Sequence, residues 1–103
     1  MSAVDQDGLK TIIVDDEDLA RQGLALRLQP FSNVDVVREA RNAKEALEAI
    51  TIHEPDLVFL DIQMPGKTGL ELLSEIQADV MPMIVFITAF DTFAVEAFRV
   101  HAI

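Results

Sequence analysis

Cysteine is absent from the chain, which excludes disulfides, thiolate nucleophiles and thiolate metal sites. Its absence suits a reducing, cytoplasmic setting. No apolar run approaches the roughly 20 residues of a membrane span. The opening segment, residues 1–8, is polar and acidic rather than basic and apolar like a secretion signal, and reads as a short disordered tail. Basic residues are scarce. Eight Lys and Arg stand against 18 Asp and Glu, for a net charge of −10. A surface of that sign repels phosphate backbones and anionic lipid, so the chain itself is expected to bind neither DNA nor membrane. No linker, internal repeat or low-complexity stretch interrupts the 103 residues, and residues 9–103 fit one domain.

Half of the residues are apolar, enough for a core, and they fall in a regular order. Leu9 to Val14 is rich in β-branched residues and predicts a buried strand. Leu19, Leu24, Leu26 and Leu28 belong to an amphipathic segment ending near Pro30. Gly23 inside it lowers helix propensity by about 1 kcal/mol against Ala, which points to close packing against a neighbour. Val34 to Ala40 is a second strand. Asn42, three residues before Glu45, opens a helix over Ala43 to Ile52. After Pro55, the run Leu57 to Leu60 between Asp56 and Asp61 is a third strand. Met64-Pro65-Gly66 makes a loop, and Thr68 with Glu71 forms a second capping box for a helix to about Ala78. Met83 to Ile87, entered through Pro82, is the fourth strand, and Asp91 caps a last helix through Phe98, Arg99 and Val100. Strands apolar throughout are buried on both faces, as in parallel sheets. Right-handed crossovers then give a doubly wound α/β sheet of order 2-1-3-4, with its binding crevice beyond the C-terminal strand ends.

That topology brings chemistry together. Strand one ends at Asp15-Asp16, strand three at Asp61 and strand four at Thr88-Ala89, and these strands are neighbours. Successive side chains on a strand point to opposite faces, so Asp15 and Asp16 both reach the crevice only if the strand has turned there. Three carboxylates at close range disfavour ionisation unless a cation compensates them. Oxygen-only ligands suit Mg²⁺, which also bridges to phosphate oxygens. Beside such an ion the Asp61 carboxylate can attack an incoming phosphoryl group and form an aspartyl phosphate, with Thr88 placed to hydrogen-bond a phosphoryl oxygen.

The stretches "IIVDDE", "DLVFLDIQMPGKTGLELL" and "FITAFD" resemble the three signature segments of the response-regulator receiver family, in order and at family spacing, over nearly the whole chain from Leu9. The resemblance implies a flavodoxin-like fold and a signalling phosphoacceptor rather than an enzyme with an external substrate. Asp61 would take phosphate from a histidine kinase or a small phosphodonor. Asp16 would ligate Mg²⁺ directly, Asp15 would support it through water, and the Gln63 backbone carbonyl would be a further ligand. Thr88 would be the switch hydroxyl. "TAFDTFAVEAFRVHAI" further resembles LytTR-type regulators, whose receivers precede a DNA-binding output domain. The family also carries a lysine at the end of strand five, then a fifth helix. The sequence ends at Ile103 before either, and Lys10, Lys44 and Lys67 are misplaced to substitute. Two expectations follow: self-association through a bare sheet face or edge, and, as an alternative function, a receiver that docks or dimerises without phosphorylation.

Plainer readings exist for each residue. Taken alone, Asp15 to Asp18 are acids at a helix N-terminus, and Glu17 and Asp18 stay so here. His53, near a helix end, and His101 lack metal-ligand company. Phe86, Phe90, Phe93 and Phe98 read as packing residues. A haloacid-dehalogenase-type hydrolase would need an aspartate two positions beyond the nucleophile, where Gln63 stands. A flavin-binding flavodoxin module would need hydroxyls and backbone donors in the first loop, where Asp-Asp-Glu-Asp would repel the phosphate.

Overall fold

The computed structural model describes residues 8–64, 66, 68–76 and 81–87. Strands β1 (Leu9–Val14), β2 (Val34–Ala40), β3 (Leu57–Asp61) and β4 (Met83–Ile87) alternate with helices α1 (Asp18–Leu28), α2 (Ala43–His53) and α3 (Gly69–Glu75). All strand pairs are parallel, and the order is β2-β1-β3-β4, as the sequence predicts. From β1 the chain steps outward to β2, then returns across β1 to β3. The direction of winding therefore reverses between β1 and β3, the place where such sheets open a crevice. Register makes this useful. Val14 pairs with Leu60 and Asp61 with Ile87, so one residue beyond β1 the chain comes level with the end of β3.

Local signals set the helix ends. The Asn42 side chain accepts the Glu45 N–H at 2.8 Å, and Glu45 in turn accepts the Arg41 N–H. Thr68 and Glu71 form a reciprocal capping box, each side chain accepting the other's backbone N–H. Glu54 closes α2 in the left-handed region, at φ 47°. One sheet face carries the core: Ile12, Val14, Val58, Leu60 and Phe86 meet Ala46, Ala49 and Ile50 of α2 and Leu72 of α3. The two alanines keep α2 close to the strands. Helix α1 packs on β1 and β2 but adds nothing to that cluster. On the face of Ile13, burial declines outward: Ile13 is buried, whereas Phe59, Val85 and Ile87 are half-buried.

Strand β2 is the sheet edge that the expected order makes it, and Asp35 and Glu39 are exposed. Two expectations, on Gly23 and on the end of α3, need correction. Gly23 is not held by close packing, since a Cβ there would meet nothing within 4 Å. Helix α3 stops at Glu75 rather than near Ala78, because Ile76 turns extended and packs on the core instead. Gly8, with a left-handed backbone (φ 68°), lies against Asn33, while residues 1–7 lie outside the described residues. So do Pro65, Lys67, Thr88, Phe90, Phe93, Phe98, His101 and the helix expected from Asp91. Phe86 is in the core as expected, and His53 sits in the last turn of α2.

The two helical glycines make opposite demands. At Gly69 a Cβ would sit 2.4 Å from the Asp61 carbonyl oxygen, because α3 starts directly against the end of β3. Gly69→Ala is expected to destabilise the domain by about 1–3 kcal/mol, steric overlap outweighing the better helix propensity. Gly23→Ala should stabilise it by about 0.5–1 kcal/mol. Urea unfolding of both variants checks the signs, and equal shifts would refute the packing argument.

Candidate acidic metal centre

The β1 ladder gives out at Val14, and the chain bends at Asp16 before α1 begins at Asp18. This is the turn that Asp15 and Asp16 require to share a crevice. The Asp15 N–H still donates to the Ala40 carbonyl of β2 at 3.1 Å. Its Oδ1 accepts the Glu17 N–H at 3.0 Å. Asp61, the last residue of β3, is held in the same manner: its Oδ1 accepts the Gln63 N–H at 3.2 Å. The result is a cluster in which Asp15, Asp16 and Asp61 each offer an oxygen, all within 4.8 Å of one another. Asp15 and Asp61 are buried and Asp16 is exposed, so the cluster has a floor and an open side. It lies at one end of a groove of about 570 Å³, whose lining also includes Gln63, Ile87 and the Leu19, Gly23 and Arg27 side of α1.

Burial and repulsion act together on the charges. Burial pushes the Asp61 carboxyl up from the ordinary 3.8 to about 6; the Asp15 charge adds to the rise, the Gln63 N–H opposes it, and Asp16 and Glu17 add smaller pushes. The Asp15 carboxyl is also raised, chiefly by burial, against the stabilising Glu17 N–H. This donor set consists of hard oxygens with no nitrogen or sulfur ligand, and a compact group of like charges whose ionisation is disfavoured by its surroundings. Both properties fit a small divalent cation such as Mg²⁺.

Of the residues singled out in the sequence, Asp15, Asp16 and Asp61 come together and Gln63 lines the same groove. Thr88 lies outside the described residues, one position past Ile87. Sequence reasoning missed Gly69, and it missed Arg21, a buried cation on α1 whose Nη1 donates to the Asp15 carbonyl at 2.6 Å. A polar residue in an amphipathic helix carries no mark of burial. The only hint for Arg21 was its place one turn after Asp18, with which it pairs.

Comparison with known proteins matches residues 11–103 to the response regulator receiver domain. An uncharacterized response regulatory protein of Yersinia pestis is 51% identical over 94 residues, 91% of this chain and 40% of that protein. The transcriptional regulatory protein BtsR of Escherichia coli is 47% identical over 94 residues, 91% of this chain and 39% of BtsR. The chain thus spans about two fifths of the length of the curated relatives it matches. Among solved structures, the response regulatory domain of protein mrkE from Klebsiella pneumoniae is similar at 38% identity and a TM-score of 0.73, covering 90% of this chain and 77% of that one. The response regulator domain of Thermotoga maritima CheB gives 25% identity and a TM-score of 0.76, covering 93% and 75%.

A carboxyl with a raised pKa binds its proton more tightly in the folded chain than in the unfolded one. The folded state is therefore favoured below the ordinary value of 3.8, and that advantage is lost as pH climbs through about 6. Above that window the Asp61 charge is a liability in metal-free buffer. Asp61→Asn is expected to raise unfolding stability at about pH 7.5 by about 1–2 kcal/mol, allowing for solvent screening. The gain should fade below about pH 4, where the wild-type carboxyl is protonated in both states. Urea titrations at the two pH values measure it, and a loss of stability on substitution at neutral pH would contradict this electrostatic picture.

Proposed function

The chain belongs to the response regulator receiver domain family, and from that premise we propose that Asp61 is its phosphoacceptor, working with Mg²⁺ held by Asp15, Asp16, Asp61 and the Gln63 backbone carbonyl. The observation that carries this reading is the convergence of three carboxylate oxygens within 4.8 Å at the winding reversal of the sheet. A bound Mg²⁺ would neutralise the cluster and stabilise the charge on a transferring phosphoryl group. The protein's own part begins with Asp61. Even in the metal-free pocket, a carboxyl titrating at about 6 is ionised at neutral pH, so Asp61 is available as the attacking anion. The Gln63 N–H orients it by holding one oxygen. The carboxylate attacks phosphorus, an oxygen–phosphorus bond forms, and the bond to the donor breaks: phosphorus–nitrogen for a phosphohistidine, phosphorus–oxygen for an acyl phosphate. Water attack on the same phosphorus later restores the carboxylate and releases phosphate.

The chain on this view is a phosphoacceptor that catalyses only its own phosphorylation and dephosphorylation. Thr88 serves as the switch hydroxyl, following the family resemblance. A sensor histidine kinase is the cytoplasmic partner upstream. Downstream, the name of BtsR as a transcriptional regulatory protein supports an output in transcription. We place a LytTR-type DNA-binding domain and receiver self-association in that output.

Intact mass after incubation with Mg²⁺ and acetyl phosphate tests the reading. Wild type is expected to gain one phosphoryl group, Asp61→Asn none, and Asp16→Asn to react at least about tenfold more slowly. Failure to gain mass in a chain extended through the strand-five lysine that the family carries would sink the phosphoacceptor reading in favour of a receiver that only docks.

A further inference from the structure

Asp15 is clamped on every polar group of its backbone and on its side chain. Its N–H goes to Ala40 of β2 and its Oδ1 receives the Glu17 N–H. Its carbonyl would be a buried acceptor beyond the last rung of β1, and Arg21 answers it. Arg21 is only 8% exposed, an unusual place for a cation. Besides Nη1 to the Asp15 carbonyl, Nε donates to Glu39 Oε1 of β2 at 3.3 Å, and Nη2 pairs with Asp18. One planar fork thus joins the metal-side turn, the first turn of α1 and the edge strand. Arg21 contacts neither Asp16 nor Asp61 among the hydrogen bonds and ion pairs of the described residues.

We propose that Arg21 is the positioning residue of the acidic pocket: by fixing the Asp15 carbonyl against β2 it aims the Asp15 and Asp16 carboxylates at Asp61. This rests on the reading of the pocket as a Mg²⁺ site. Geometry and charge make opposite forecasts for its removal. Through charge alone, deleting a cation next to three carboxylates would tighten Mg²⁺ binding. Through positioning, the loosened turn weakens it, as loss of a group that orients metal ligands does, by about 10–100-fold.

Calorimetric Mg²⁺ titration of the whole chain separates the two. Arg21→Met, which keeps the apolar stem, should weaken binding about tenfold or more. Arg21→Lys keeps the charge without the fork, and is expected to weaken it as well. Ile50→Ala, which unsettles the core through the last turn of α2, should leave the affinity of the folded protein unchanged. Unchanged or tighter binding in Arg21→Met overturns the proposal, as does an equal loss in Ile50→Ala. Should Arg21→Met fail to fold, Arg21→Lys decides. If wild type binds no Mg²⁺, the metal-site reading fails, and amide hydrogen exchange judges Arg21 separately. In Arg21→Lys the Glu17 amide should exchange faster while that of Ile13 is unchanged; equal protection in wild type and variant overturns the proposal.

Discussion

Mutual repulsion among Asp15, Asp16 and Asp61 is the constraint around which the molecule is organised. No isolated peptide would hold three carboxylate oxygens within 4.8 Å of one another. The sheet can, because strand pairing is rigid and its hydrogen bonds are made elsewhere. β1 and β3 are locked in register by the rungs from Thr11–Leu57 to Val14–Leu60, and the acids sit just past the last of them. The core on the far face, from Ile12 through Phe86, supplies the stability that the pocket withdraws. Placing the destabilising group where the ladder ends also means that the repulsion disturbs no rung.

The neighbours of the pocket are explained by the same constraint. Gly69 is bare of a side chain because α3 must start against the Asp61 carbonyl, and its N–H donates to the Ile62 carbonyl at 2.7 Å. The capping box of Thr68 and Glu71 fixes that start. On the other side, Arg21 and Glu39 tie the Asp15 turn to β2. Each carboxylate-bearing turn therefore has its own brace, one steric and one ionic.

Much of this was legible in the sequence. Period and punctuation gave four strands and four helices, of which the first three helices fall among the described residues, and the caps at Asn42 and Thr68 announced themselves by the acid three residues on. The three aspartates were legible through topology, since a strand end is readable once strand order is known. What escaped was whatever depends on contact between elements. The burial of Arg21 depends on Glu39 and on the bend at Asp16, neither visible in the local pattern of α1. Gly23 and Gly69 look alike in sequence, yet one faces open space and the other a carbonyl. Strand β2 read as a strand correctly, but its position at the edge, not its own residues, leaves Asp35 and Glu39 in solvent.

Three agents can relieve the repulsion, and they are not equivalent. A proton on Asp61 removes the charge, but under the proposed reading it also removes the nucleophile. The Arg21 cation only weakly opposes the burial that raises the Asp15 carboxyl, and its donors are engaged with the Asp15 carbonyl, Asp18 and Glu39. A divalent ion would offset the charge while leaving Asp61 ionised, as the proposed phosphoacceptor role requires. An Asp61 carboxyl at about 6 lies just low enough for the anion to dominate at neutral pH, and high enough that the anion gains from a positive partner. Burial deep enough to raise it further would favour the proton and silence the site. Full exposure would return an ordinary aspartate with little reason to bind an ion. The half-open pocket, with Asp61 on its floor and Asp16 at its rim, lies between those limits.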